Sequence, residues 1–92
     1  MNKIFLDARE LEHPKPLEEA ILALRELNDE NYFYMLHRKN PIPLISLAEG
    51  QNFKSLTYEE SEGIWHILIS KNKAIDLDKK IEKSFSSSVN MQ

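Results

Sequence analysis

The residues best suited to chemistry in this chain are its three histidines, His13, His37 and His66, and the cations beside two of them. An imidazole titrates near neutrality and binds metals in its neutral form. His13 opens "HPKPL" and His37 opens "HRKNPIPL", so each stands just before a Pro-x-Pro-Leu segment. Arg9 precedes His13, and Arg38 and Lys39 directly follow His37. Two chemistries suit this set. His13 and His37 could share a metal ion, with Asp7 or Glu12 as the carboxylate that two histidines alone lack. Or Arg9, Arg38 and Lys39 could join the histidines in binding an anion. The same residues also read as turn and capping groups, the commoner role of a histidine in a turn, and Asp7 and Arg9 as a local pair.

The elements that must position these residues follow from apolar spacing. Lys3 to Ala8 is expected as a first strand. Pro14 and Pro16 cannot continue it but suit the first turn of a helix, where a missing N–H costs nothing. Leu17, Ala20, Ile21, Leu24 and Leu27 then trace the stripe of an amphipathic helix, predicted over 16–27. "NDEN", Asn28 to Asn31, stops it. Tyr32 to His37 is a second strand, apolar or aromatic on both faces. A short helix is predicted over Leu44 to Glu49, with Gly50 as its C-cap. Phe53 to Glu60 and Ile64 to Ser70 are strands joined by "SEG", a hairpin signal. Trp65, Ile67 and Ile69 form the core face of the last strand, and His66 is expected to be exposed on the other. After Ser70, Ile75, Leu77, Ile81 and Phe85 suggest a peripheral amphipathic helix with Asp76 as cap, followed by a disordered tail.

The order β-α-β-α-β-β implies a right-handed crossover, a parallel pair and a closing antiparallel hairpin. The expected architecture is an α/β (α+β) two-layer sandwich, a mixed four-stranded sheet with both helices on one face. Residues 1–70 form the domain and 71–92 an extension. His13 and His37 both fall where a strand hands over to a helix. Ligand crevices form at such carboxyl ends in open α/β sheets. The two imidazoles are therefore expected on one rim, near two helix N-termini whose dipoles favour anions.

Composition limits the rest. There are 92 residues, 12 basic and 15 acidic, for a net charge of −3. That balance does not suit broad nucleic-acid binding, which needs a basic patch. No cysteine is present, so this chain has no thiolate nucleophile, disulfide or cysteine metal ligand of its own. No apolar run is long enough to span a bilayer. The N-terminus turns acidic too soon for a signal peptide, so a cytoplasmic location is expected. No nucleophile with a base and orienting group is visible, so no enzyme activity is expected, and the sequence leaves any cofactor unknown. With two glycines, no Gly-rich phosphate loop can form. The second face of the sheet, carrying Phe5, Tyr32, Tyr34, His66 and Leu68, is expected to be open, and could dock another protein or a second copy.

"LDARELEHPKPL" resembles the opening of the TusA/SirA sulfur-carrier family, whose pattern is Leu-Asp-x-Arg-Gly-Leu-x-Cys-Pro-x-Pro before a helix. Leu6, Asp7, Arg9, Leu11, Pro14 and Pro16 match it. Glu10 replaces the family's glycine, and His13 replaces its persulfide-carrying cysteine. The chain is still more similar to a bacterial and archaeal family known only as domain of unknown function 2249. That resemblance rests on Leu6 to Arg9, "HRKNPIPL" and "GIWHILI". It implies a TusA-like fold with no established activity; without a cysteine no persulfide chemistry is expected on this chain, and a binding or interaction role is the reading that the expected open sheet face favours. A part in sulfur or redox metabolism would require a partner to supply the thiol.

Overall fold

A computed structural model describes residues 1–61 and 63–82. Strands β1 (Asn2–Asp7), β2 (Asn31–His37), β3 (Lys54–Ser61) and β4 (Ile64–Ser70) form one sheet in the order β1-β2-β4-β3. β1 and β2 are parallel, with Ile4 opposite Phe33 and Leu6 opposite Met35. β4 runs antiparallel to both β2 and β3. The parallel pair is enforced by the crossover through helix α1 (Lys15–Leu24), and helix α2 (Ile42–Gly50) carries the chain to the far edge. Both helices cover one face. Ala8, Ala20, Leu24, Phe33, Met35, Leu44, Ala48, Ile67 and Ile69 close the core between them and the sheet. The α/β two-layer architecture is the expected one.

The proline echo has a structural basis. Pro14 and Pro41 are the N-caps of α1 and α2, and Pro16 and Pro43 sit in their first turns. α1 ends three residues before Leu27. Arg25, Glu26 and Leu27 continue with tighter bonds to Leu22, Ala23 and Leu24, and the Asn31 amide captures the Glu26 carbonyl at 3.0 Å. Leu27 stays buried all the same. Gly50 is not the C-cap of α2 but its last residue. Asn52 takes the left-handed conformation instead, with φ 64°, and lets Phe53 N–H reach the Ala48 carbonyl at 2.9 Å. Asparagine serves there because its short polar side chain tolerates that conformation.

The extension departs most from expectation. Ser70 Oγ accepts from the Asn72 N–H at 3.0 Å, and Asn72 Nδ2 donates to the Asp29 carbonyl at 3.1 Å. The chain is thereby turned back over the second face of the sheet. Lys54 Nζ donates to the Ile75 carbonyl at 2.5 Å. A single 3-10 turn, Leu77–Lys80, replaces the expected amphipathic helix, and Asp76 makes no side-chain cap. The physical reason is spacing: Ile75, Leu77 and Ile81 are two and four apart, so an irregular strap buries Ile75 and Leu77 and partly covers Ile81 where one helical face would not. Ile75 and Leu77 are buried with Tyr32, Tyr34 and Leu68, and Leu36, Leu56 and Ile81 pack around them. The sheet face expected to be open is therefore covered, although Phe5 keeps half its surface exposed. Glu62, Phe85 and the tail expected to be disordered lie outside the described residues.

Candidate functional site

The carboxyl ends of β1 and β2 frame a cavity of about 430 Å3. One lip is the β1–α1 segment, giving Arg9, Leu11, Glu12, His13, Pro16 and Leu17. The other is the end of β2 and the start of α2, giving His37, Arg38, Lys39, Asn40, Pro41 and Pro43. Met35 and Leu44, closed to solvent, lie beneath. All five residues singled out from the sequence, Arg9, His13, His37, Arg38 and Lys39, line this one space. The volume falls within the usual range for small-molecule sites, and the apolar base with few polar groups is the usual composition of one.

The charges around it are unequally free. Asp7 holds Arg9 with both carboxylate oxygens, at 2.9 Å to Nε and 2.8 Å to Nη2, and also accepts from the Arg9 N–H at 3.1 Å. The Arg9 guanidinium keeps the Asp7 carboxyl below its ordinary range. Arg38 Nη2 donates to Glu10 Oε2 at 3.1 Å, in an exposed pair. Lys39 and His13 make no hydrogen bond or ion pair among the described residues. Burial holds His37 below the ordinary histidine range, and the nearby Lys39 charge adds to that. His37 is therefore a neutral ring at neutral pH, and its Nδ1 is buried with no partner among the described residues.

The prolines decide what the helix ends can offer. Proline has no N–H to give. In α1, Lys15 N–H is already bonded to the Glu12 carbonyl at 2.9 Å, and in α2, Ile42 N–H to that of Asn40 at 2.9 Å. Leu17 and Leu44 are left as the single unbonded amide in each first turn, among the described residues. Two helix dipoles meet the cavity with few hydrogen-bond donors, unlike a phosphate-binding nest. The shared-metal reading also lacks a third ligand. Asp7 is engaged by Arg9, and no three His, Asp or Glu side chains are grouped to hold a metal ion among the described residues.

A second constellation was missed. His66, expected to be an exposed strand residue, is 2% exposed. Its Nδ1 lies 2.6 Å from Tyr34 Oη and its Nε2 2.7 Å from Glu60 Oε1. Strand alternation places Tyr34, Tyr58, Glu60 and His66 on one face, and that was the available signal. What hid the burial was the strap, whose fold could not be read from spacing. No helix among the described residues is long and apolar enough to cross a membrane.

Comparison with known proteins agrees with this architecture. No curated protein matches the chain. Among solved structures, a SirA-like protein from Desulfitobacterium hafniense is similar, with a TM-score of 0.59 at 28% identity, over 72% of this chain and 95% of that one. The family model described as uncharacterized conserved protein DUF2249 matches residues 5–71, which take in the end of β1, the other three strands, both helices and both lips of the cavity. With the sheet order, the two Pro-x-Pro-Leu helix starts and that match in hand, the chain belongs to the DUF2249 family and has a SirA-like fold.

Proposed function

We propose that this chain is a small-ligand binding module without persulfide-carrier chemistry, and that its cavity takes a small, largely apolar molecule bearing one monoanionic group such as a carboxylate. The observation that carries this reading is the composition of the single space between the two Pro-x-Pro-Leu lips. Its base is apolar, two of its three rim cations, Arg9 and Arg38, are held by Asp7 and Glu10 while Lys39 is not, and its helix ends supply two amides. A phosphate dianion needs many donors, and the prolines have removed them. A carboxylate needs fewer. Lys39, the rim cation with no acid of its own among the described residues, is the natural counter-charge, and the neutral His37 ring supplies a hydrogen-bonding edge without repelling a cation beside it. Sulfur relay through this cavity would require a thiol from elsewhere, since the chain has none.

The test is an amide NMR titration of the full chain with hexanoate and, separately, with inorganic phosphate. Hexanoate is expected to move amides within residues 9–17 and 35–44 and to saturate. Phosphate is expected to bind more weakly. Lys39→Ala is expected to weaken hexanoate about two- to fivefold, the equivalent of an exposed ion pair of about 0.5–1 kcal/mol. Tighter binding of phosphate than of hexanoate, or shifts scattered outside both lips, would overturn the reading. Zinc and nickel serve as the metal arm: saturable shifts at His13 and His37 would replace the carboxylate with a cation.

A further inference from the structure

The second face of the sheet holds a buried line of polar groups that the cavity does not use. Glu82 N–H donates to the Tyr34 hydroxyl oxygen at 2.7 Å. Tyr34 Oη meets Nδ1 of His66 at 2.6 Å, and Nε2 of His66 meets Oε1 of Glu60 at 2.7 Å. The His66 and Glu60 side chains are 2% and 5% exposed.

Counting hydrogens gives each bond a direction. A tyrosine hydroxyl has one hydrogen to donate. Its other acceptor within reach among the described residues, the Glu82 carbonyl oxygen, is 3.4 Å away. That exceeds the ordinary O–H···O range of about 2.5–3.0 Å. With the ring neutral, Nε2 carries its one hydrogen toward the Glu60 carboxylate, so Nδ1 accepts and the Tyr34 hydroxyl hydrogen goes to it. The ring is then the neutral Nε2–H tautomer and donates to the Glu60 carboxylate.

We propose that His66 is the proton sensor of a latch on residues 71–82: a proton gained at Nδ1 reverses the Tyr34 hydroxyl and shifts the strap at Glu82. The proton comes from solvent, and no other bond to hydrogen is broken. Nδ1–H becomes a donor toward Tyr34 Oη, and the hydroxyl hydrogen must turn away. It is left facing a carbonyl too distant for a good bond, so the strap has to shift to recover one. The gain lies at the other end of the line, where the imidazolium now meets the Glu60 carboxylate as a charge-assisted pair. Protonation is thus supported at Glu60 and felt at the strap.

The titratable and charged groups facing this line come from every surrounding element. β2 gives Tyr34, and β3 gives Glu60 and Tyr58, whose ring centroid is 5.8 Å from that of His66. Beyond Tyr34 stand Lys3 of β1, 5.4 Å from the Tyr34 ring centroid, and Glu82, which pairs with Lys3 at 2.6 Å. Tyr32 lies further along β2 with Lys80 over its ring at 5.7 Å. The device controls a defined surface, because the strap is what covers Tyr32, Leu36, Leu56 and Leu68. The latch is independent of the cavity, and almost all of the strap lies beyond the residues matched by the family model.

NMR of the full chain, titrated from about pH 8 to pH 5 through the histidine range, tests it. The His66 ring and the Glu82 and Leu77 amides are expected to shift with one shared midpoint. In Tyr34→Phe the ring still titrates, and the Glu82 amide no longer follows it. A His66 ring that does not titrate in that range overturns the proposal. So does a ring that titrates while the Glu82 amide stays still, or moves without sharing the ring's midpoint. The wild-type comparison of ring and amide decides the matter even where Tyr34→Phe does not fold.

Discussion

Truncating Leu77 to alanine measures how firmly the strap belongs to the folded unit. Leu77 is 2% exposed and packs in the cluster with Tyr32, Tyr34 and Leu68. Leu→Ala at buried sites costs about 2–5 kcal/mol, of which part is transfer and part the cavity left behind. A four-residue 3-10 turn near the end of the described chain relaxes more readily than a helix inside a core, so the low end applies, about 2–2.5 kcal/mol. A domain of 92 residues has a total stability of about 5–14 kcal/mol. The loss is therefore a substantial fraction, and the Tm should fall by about 10–20 °C. Ile42→Ala removes an aliphatic side chain that is 63% exposed, and should change stability by less than about 0.5 kcal/mol. Thermal and urea unfolding followed by circular dichroism compare the two. If Leu77→Ala proved as mild as Ile42→Ala, the packing of the strap on the second face would be refuted.

Gly63 adopts φ 75° in the turn between β3 and β4, and an added Cβ there would meet nothing within 4 Å. Gly63→Ala should therefore cost about 1–2 kcal/mol by backbone conformation alone, read as a lower urea midpoint with an unchanged slope. Asp7→Asn should lose a pH-dependent increment of stability. Arg9 lowers the Asp7 pKa on folding, so the increment is complete above the unfolded carboxyl range and disappears as pH falls through the folded value. The pair is about 40% exposed, which keeps the increment below about 1 kcal/mol. Urea midpoints of wild type and variant should differ at neutral pH and converge in acid.

The frame of the molecule was legible because several signals in the sequence agreed. Period-two alternation, one amphipathic stripe and a Gly-containing turn pointed to the same β-α-β-α-β-β order. The cavity was legible for a narrower reason. Pro14 and Pro41 cap helices whose positions follow from the parallel strands, so His13 and His37 had to share a rim. What spacing could not show was which charges were already committed. Arg9 is held by Asp7 two residues away, whereas Lys39 is not held, and that difference arises from side-chain geometry. His66 was misjudged for another reason. Strand alternation says which face a residue occupies, and only the tertiary path of residues 71–82 says whether that face is wet. That path depends on Asn72 bonding to the Asp29 carbonyl, a contact between distant segments that no local pattern encodes.

The most direct test of the binding account is intermolecular NOE measurement between hexanoate and the methyl-labelled full chain. The account expects NOEs from the alkyl protons to the Leu11 and Leu17 methyl groups, together with hexanoate-dependent shifts of the His37 ring and of the Lys39 side chain. Saturable binding whose NOEs fall on other methyl groups, with His37 and Lys39 unmoved, would contradict it.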